Sequence, residues 1–266
     1  MNSKVQSKEH TKKLGLALSG GGARAAVHLG LLKALEEMDM KPDVISGSSA
    51  GAIIGAFYSS GFKIEEILRI FEDASLFNIT NLLFRKQGIF DMNSFEELFK
   101  KYFPDNSFHT LKIPLHITAV DILNGKEVCF SEGDLSKSLM ASSCIPFVFQ
   151  PVIYQGTLFV DGGVMNNLPI EILQKSCDYI IGSYCNSIKI EPEQVHMNDI
   201  IDRTFHLAMG SSVKLRAKKC DWYFEPTDMS QYSIFNLKKC DEIYAYAYQQ
   251  AISRKNELLF LKDKMK

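Results

Sequence analysis

The chain has 266 residues, 46% of them hydrophobic and 23% charged, which is the composition of a folded globular protein and excludes disorder along the whole chain. Its 30 basic and 31 acidic residues give a net charge of −1, so we expect no nucleic-acid partner. The six cysteines are scattered, with no spacing typical of a metal site, and we expect reduced, mostly buried thiols in a cytoplasmic protein.

The first predicted element follows a short polar segment. Residues Met1 to Lys13 are predicted to be a disordered basic leader, and residues 14–266 are predicted to form one domain. Leu14 to Ser19 is predicted to be a buried strand, because it is mostly apolar and three glycines follow it. Ala25 to Met38 carries apolar residues at helical spacing, so the first unit is a strand, a glycine-rich turn and a helix.

The glycine-rich turn contains Gly20, Gly21 and Gly22. Glycines at such a junction allow several backbone N–H groups to point at one place beside the helix N terminus, which predicts an anion site. A dinucleotide phosphate is one candidate, since Gly20, Gly22 and Ala25 match G-x-G-x-x-A, but the next strand ends without the acidic residue that would bind the ribose. The other candidate is the oxyanion of an acyl-transfer intermediate.

Arg24 comes directly after these glycines. Its charge could position the glycine-rich turn, or it could bind a phosphate group of a substrate. An arginine at a helix start can also lie in solvent without either role. The sequence leaves these three alternatives open.

The second unit repeats the order of strand, turn and helix. An apolar run after Pro42 predicts a short buried strand, and the small and apolar residues after Ala50 predict a helix. Between them, Gly47 to Gly51 has the pattern G-x-S-x-G, in which a sharp turn exposes the Oγ atom of the central serine. Ser49 is therefore the candidate nucleophile. Two consecutive units of this kind bring both turns to the carboxyl edge of a parallel sheet.

A membrane-spanning helix is the alternative for this stretch. Val44 to Phe62 contains no charged residue, and Gly47, Gly51 and Gly55 recur at a spacing typical of helix interfaces in membranes. However, the window is short for a span and contains five serines, which are unfavourable in lipid. The strand, turn and helix are therefore the preferred interpretation.

The middle of the chain is predicted to be helical and rich in aromatic residues. Ile64 to Phe71 is an amphipathic helix, Leu76 to Phe90 is irregular, and Ser94 to Phe103 is a helix that starts with a capping box. The last of these has an aromatic face that could line an acyl-chain pocket or touch a membrane surface. Such faces more often belong to the core, which is the interpretation we favour.

Strands and helices alternate in the rest of the chain. The predicted strands are Ile113 to Val120, Lys126 to Phe130, Val152 to Tyr154, Thr157 to Val160, Cys177 to Tyr184 and Asp221 to Phe224. The predicted helices are Leu135 to Ser143, Asn198 to Lys219 and Cys240 to Leu261. This alternation predicts an α/β fold, a three-layer sandwich with a mainly parallel central sheet.

Two aspartates stand at the ends of predicted strands. Asp161 is followed by Gly162 and Gly163, so a tight turn would make its carboxylate project from the strand end. An aspartate in such a turn can also do no more than bind its own backbone. Asp121 has the same position in its strand, but Ile122 and not a glycine follows it.

Three motifs thus occur in order, namely Gly20-Gly21-Gly22-Ala23-Arg24, Gly47-Ser48-Ser49-Ala50-Gly51 and Asp161-Gly162-Gly163. Together they resemble the patatin-like phospholipase family from about Leu14 to Leu173, and the stretches Ala141 to Phe147 and Asn167 to Ile170 are similar to the family's connecting segments. The resemblance implies a patatin-like fold and a Ser–Asp dyad that hydrolyses acyl esters of lipids. Ser49 would be the nucleophile, Asp161 its base, and the three glycines the oxyanion loop. One departure is Ala25, at a position where the family commonly has glycine.

The base that activates a catalytic serine is usually a histidine. The six histidines are His10, His28, His109, His116, His196 and His206, and none lies in a motif that resembles the histidine loop of a triad hydrolase. A histidine brought to the serine by folding remains an open alternative.

The sequence also bears on the alternative function and on which ligands we expect. The alternative function is a lipid-binding or scaffold protein on the same fold, against which the three intact motifs argue. No acidic Ca²⁺-binding loop occurs, so we expect no metal requirement and no cofactor. The expected partner is a lipid ester substrate, which leaves a peripheral contact with a membrane open.

Overall fold

The computed structural model describes residues 11–73, 92–187, 207, 209, 210 and 212–266. Its strands are β1 (Leu14–Leu18), β2 (Val44–Ser48), β3 (Leu115–Asp121), β4 (Lys126–Phe130), β5 (Val152–Tyr154), β6 (Thr157–Asp161), β7 (Tyr179–Ser183) and β8 (Trp222–Phe224). Its α-helices are α1 (Ala26–Glu37), α2 (Ala50–Ser60), α3 (Ile64–Glu72), α4 (Asn93–Tyr102), α5 (Leu135–Ser143), α6 (Val213–Ala217), α7 (Cys240–Ser253) and α8 (Lys255–Met265). Most of the predicted leader, the predicted irregular stretch Leu76 to Phe90 and half of the predicted helix Asn198 to Lys219 lie outside the described residues.

Five strands of the central sheet are parallel. β1 pairs with β2 and β7, β2 pairs with β3, and β7 pairs with β8, all in the parallel sense. β4 and β6 pair antiparallel with β3, and β5 pairs antiparallel with β6. Parallel strands have their carboxyl ends at one edge of a sheet. The turn after β1, the turn after β2 and the segment after β7 therefore lie at the same edge.

Both faces of the sheet are covered. On β1, Leu14, Leu16 and Leu18 belong to the main core cluster, which also contains buried residues of α1, α2 and α7. Ala17 belongs to a second cluster, together with residues of the segment Leu168 to Leu173 and of α6. This alternation along one strand is what a sheet covered on both faces requires. The predicted α/β fold, with a central sheet between covering layers, is confirmed.

The register of β3 brings the ends of β2 and β6 together. β4 pairs with one edge of β3 along this whole region, so β2 and β6 must share the other edge. β2 runs parallel to β3 and ends where Ser48 pairs with Thr118. β6 runs in the opposite direction and ends where Asp161 pairs with Ala119. Because Thr118 and Ala119 are consecutive, the two strand ends meet at neighbouring positions of a third strand.

The prediction of one closing helix from Cys240 to Leu261 is wrong, because α7 and α8 are separated at Arg254. The amide of Arg254 donates to the carbonyl oxygen of Ala251, three residues earlier, so the α-helical bonding is interrupted there. The side chain of Arg254 is turned towards β8. Its Nη1 atom donates to the carbonyl oxygen of Tyr223 at 2.9 Å, and its guanidinium lies 4.4 Å from the ring centroid of Trp222.

Two alternatives from the sequence are resolved by the fold. Val44 to Phe62 forms β2, a turn and α2, so the membrane-spanning interpretation of this stretch is wrong. No helix among the described residues has both the length and the apolar character needed to cross a membrane. Phe95, Phe99 and Phe103, at the aromatic face of α4, are buried in the main cluster, which supports the core interpretation. All six cysteines are free, and three of them are buried.

Candidate active site

Ser49 occupies the turn between β2 and α2. Its φ angle of 54° lies in the left-handed region, which is uncommon for a residue with a side chain. A Cβ atom at Gly51 would lie 2.5 Å from the carbonyl oxygens of Leu18 and Ser19, and one at Gly47 would lie 2.7 Å from the backbone of α2. Only glycine fits at these two positions, which explains why this sequence pattern produces the turn.

The carboxylate of Asp161 lies against the Ser49 hydroxyl. Oγ of Ser49 donates a hydrogen bond of 2.6 Å to Oδ2 of Asp161. The second carboxylate oxygen, Oδ1, accepts the N–H of Gly163 at 2.8 Å, within the Asp-Gly-Gly turn. The amide of Asp161 itself donates to the carbonyl oxygen of Cys144 at 2.9 Å. Backbone and side chain of the aspartate are therefore both held in place, in direct contact with the serine.

Burial sets the protonation of this aspartate. Asp161 is 1% exposed, and the loss of hydration raises the pKa of its carboxyl to about 6, although the hydrogen bonds from Ser49 and Gly163 lower it. The carboxylate is therefore a stronger base than an ordinary aspartate and remains mostly ionised at neutral pH. A group of this kind can accept the proton of a serine and give it back.

The glycine-rich turn passes beside Ser49. A Cβ atom at Gly20 would lie 2.7 Å from Cβ of Ser49. The N–H of Gly20 donates to Oδ1 of Asn167 at 2.8 Å, whereas the N–H groups of Gly21 and Gly22 form no hydrogen bond within the described part of the chain. Two of the three glycine amides are thus available to an anion, and the third fixes the turn.

Side chains from α1 and from the end of β7 support the same turn. Nδ2 of Asn186 donates to the carbonyl oxygen of Gly20 at 2.6 Å. Nε2 of His28 donates to the carbonyl oxygen of Ser19, and its Nδ1 accepts from the hydroxyl of Ser183, both at 2.8 Å. Burial lowers the pKa of His28 to about 4, so the ring is neutral, as this pair of bonds requires. His28 is therefore a support of the turn.

The side chain of Arg24 is turned into the protein. It is 5% exposed, and its Nε atom donates to the carbonyl oxygen of Tyr232 at 2.7 Å. The alternative in which this arginine lies in solvent is wrong. Its attachment to the segment before α7 favours a role in positioning the glycine-rich turn.

Besides Asn186 and Ser183, two further residues of the site, Ser142 and Asn167, were not predicted from the sequence. Oγ of Ser142 accepts the N–H of Ser49 at 2.8 Å. Asn167, which holds Gly20, is 1% exposed. Both lie in the two stretches that resemble the connecting segments of the family, so a signal was present in the sequence. Which groups they bind follows only from the fold.

Asp121, the other aspartate at a strand end, lies in a different environment. Its carboxylate accepts hydrogen bonds from the side chain and the N–H of Asn124, from the N–H of Leu123 and from the hydroxyl of Thr157. These bonds, with that of the Asn124 side chain first, lower the pKa of the Asp121 carboxyl. The residue closes the hairpin between β3 and β4.

The structure describes three of the six histidines. His28, His109 and His116 form no hydrogen bond with Ser49 or Asp161. His10, His196 and His206 lie outside the described residues.

Comparison with known proteins points to the same family as the motifs. The model of the patatin-like phospholipase family matches residues 16–173. An uncharacterised NTE family protein of Mycobacterium tuberculosis is 32% identical over 161 residues, which are 59% of this chain and 44% of that protein. Lysophospholipase NTE1 of Kluyveromyces lactis is 26% identical over 285 residues, covering 92% of this chain and 20% of that protein. Human patatin-like phospholipase domain-containing protein 6 is 26% identical over 272 residues, covering 89% of this chain and 20% of that protein.

The chain therefore spans less than half the length of these curated relatives. Among solved structures, VipD from Legionella pneumophila matches with a TM-score of 0.53 and 13% identity, over 93% of this chain and 67% of that one, which shows a shared fold. The family match itself covers more than half of the 266 residues. The chain belongs to the patatin-like phospholipase family.

Proposed function

We propose that this chain is a serine hydrolase that cleaves acyl ester bonds of phospholipids or related lipids through a dyad of Ser49 and Asp161. The observation that carries the proposal is the 2.6 Å hydrogen bond from Ser49 Oγ to Asp161 Oδ2, made by a serine held at a strained turn. Lipid as the substrate class is supported by the family and by the names of relatives, one of which is a lysophospholipase.

In the first step, Oγ of Ser49 attacks the carbonyl carbon of the ester while its proton passes to Oδ2 of Asp161. A C–O bond forms, and the electron pair of the carbonyl double bond moves onto the oxygen. The N–H groups of Gly21 and Gly22 donate to this oxyanion, while Gly20 keeps the turn in place through Asn167. When the intermediate collapses, the ester C–O bond breaks and the leaving alcohol takes the proton from Asp161.

In the second step, water attacks the acyl group on Ser49 and Asp161 accepts a proton of that water. The acyl–Oγ bond then breaks, the fatty acid leaves, and the proton returns to Oγ. A carboxyl with a pKa of about 6 suits both directions of transfer, because it is mostly ionised at neutral pH and still acidic enough to return the proton. In this proposal, protein groups and water supply every step.

The proposal is tested by labelling the purified protein with a fluorophosphonate probe, which forms a covalent bond with an activated serine. We expect labelling of the wild type, an adduct on Ser49 in peptide mass spectrometry, and no labelling of Ser49→Ala. The matched control is Ser48→Ala, because Ser48 Oγ is buried and has no hydrogen-bond partner among the described residues. This control should be labelled as the wild type is. An unlabelled wild type would favour the lipid-binding or scaffold alternative.

A further inference from the structure

The segment from the last turn of α5 to Phe149 contacts both members of the proposed dyad. Within it, Oγ of Ser142 accepts the N–H of Ser49 at 2.8 Å, and the carbonyl oxygen of Cys144 accepts the N–H of Asp161 at 2.9 Å. At its far end, Phe149 is buried and packs edge to face on Phe95, with 5.7 Å between ring centroids. The segment is thus attached at both ends.

Between these attachments, the segment displays a phenylalanine to solvent. Phe147 is 92% exposed, and its φ angle of 68° lies in a region that is unfavourable for a bulky side chain. The N–H groups of Val148 and Phe149 donate to the carbonyl oxygen of Ile145, which fixes the turn that carries it. The exposed position of Phe147 is therefore imposed by a hydrogen-bonded turn. Backbone strain that the fold maintains at one residue is often connected with function.

A second segment that contacts Asp161 also exposes apolar side chains. Val164 and Met165 follow the Asp-Gly-Gly turn and are 37% and 43% exposed. The N–H of Gly163, directly before them, is bound to the carboxylate of Asp161. Each of the two segments that bind Asp161 thus exposes an apolar side chain within three residues, along the chain, of its hydrogen bond to Asp161.

We propose that Phe147, together with Val164 and Met165, inserts into a lipid surface and so brings the Ser49–Asp161 pair to its substrate. This inference rests on the proposed function, because a lipid ester is the substrate class that would have to reach Ser49 from such a surface. Moving an exposed aromatic ring from water to the boundary of the acyl chains lowers the free energy. The residues that contact lipid would then belong to the two segments that bind Asp161 through Cys144 and Gly163.

A second copy of this chain is a poorer occupant of the same surface. A stable protein interface buries about 800 Å² on each partner and contains 20–30 residues a side. Three apolar side chains on two separate turns provide much less than that. Insertion of single side chains into a lipid surface has no such requirement for a large complementary face.

The binding test uses the Ser49→Ala protein, so that no hydrolysis alters the vesicles. The affinity for phosphatidylcholine vesicles, measured by co-sedimentation, should fall about tenfold or more in Phe147→Ser. This is the loss expected when one apolar side chain is no longer buried in the lipid. Phe147→Trp keeps an aromatic ring and should bind as well as the parent. The matched control is Phe260→Ser, which removes an equally apolar ring that is 64% exposed on α8. It should not change vesicle binding.

The kinetic test compares phospholipid in vesicles with a soluble short-chain ester, in protein that retains Ser49. Phe147→Ser should reduce vesicle hydrolysis about tenfold more than it reduces hydrolysis of the soluble ester. Unchanged vesicle binding, or equal losses on both substrates, would overturn the inference. Loss of a concentration-dependent dimer in light scattering would assign Phe147 to a second copy instead. If the wild type cleaves neither substrate, the proposed function fails, and the binding test still decides this inference.

Discussion

Asp121 and Asp161 stand at the ends of the neighbouring strands β3 and β6, and each is followed by a tight turn, but their chemistry differs. Asp121 accepts four hydrogen bonds, from Leu123, Asn124 and Thr157, and its pKa is lowered. Asp161 accepts two, and burial raises its pKa to about 6. The comparison teaches that a strong carboxylate base needs burial with few donors, and that a turn motif alone does not provide it.

The largest effect expected from this comparison is on turnover. Asp161→Asn should reduce kcat on the order of 10³-fold or more, because an amide cannot accept the serine proton. Asp121→Asn, the matched control, should stay within about tenfold of wild type, since it disturbs only a hairpin. Hydrolysis of a soluble short-chain ester measures both. Equal losses in the two variants would mean that the environment of Asp161 has no special role.

A smaller effect is expected in the glycine-rich turn beside Ser49. Asn167→Ala removes the acceptor of the Gly20 amide, and the misplaced oxyanion donors should lower kcat by about 10- to 100-fold. The change in KM should be smaller, because the loss is specific to the transition state.

Asn166→Ala is the control for that variant. The side chain of Asn166 donates to Glu127 and Glu171 and accepts the N–H of Leu168, and it has no hydrogen bond to the glycine-rich turn among the described residues, so its removal should lower the melting temperature while changing kcat less. A rise in KM alone for Asn167→Ala would show that this residue binds substrate and does not place the oxyanion donors.

The smallest effect concerns stability, and its sign differs between the two aspartates. The folded-state pKa of Asp161 is above the ordinary 3.8, so ionisation costs stability as pH rises from 3.8 through about 6. Asp161→Asn removes that cost and should raise the melting temperature at pH 8 more than at pH 4. The difference should be at least roughly 2–4 °C, which is what about 1 kcal/mol produces in a chain of this size.

Asp121→Asn should behave in the opposite way. Its lowered folded-state pKa stabilises the fold above the ordinary pKa, and this contribution is lost as pH falls through the folded value. The variant should therefore lower the melting temperature at pH 8 and have less effect in acid. Thermal unfolding of both variants at the two pH values checks these signs. If both variants changed the melting temperature in the same direction at pH 8, the signs would be contradicted.

Much of the local structure could be predicted from the sequence. Hydrophobic alternation and turn residues predicted β4 and β5, and the helix predicted to end before Pro146 is α5, all three with the bounds that the structure has. The glycines around Ser49 and after Asp161 predicted turns at both residues, because close backbone contacts at these places admit no Cβ atom. These features depend on neighbours along the chain.

The features that were not predicted depend on distant partners. Asn167 and Gly20 are 147 residues apart, and their contact requires the turns after β1 and β6 to lie together. At the break between α7 and α8, Arg254 contacts Trp222 of β8, which is 32 residues away along the chain. The opposite pKa shifts of Asp121 and Asp161 likewise follow from the hydrogen bonds and the packing that the fold gives each carboxylate, which a motif of three residues does not encode.

The meeting of β2 and β6 on β3 restricts where this protein can tolerate insertions. One extra residue between Thr118 and Ala119 would separate the two strand ends by about 3.3 Å and turn the following side chains of β3 to the opposite face. Extra residues at the tip of the next hairpin, 122–125, would leave that spacing intact. Length variation is therefore expected at the hairpin tip and is expected to be absent from the middle of β3.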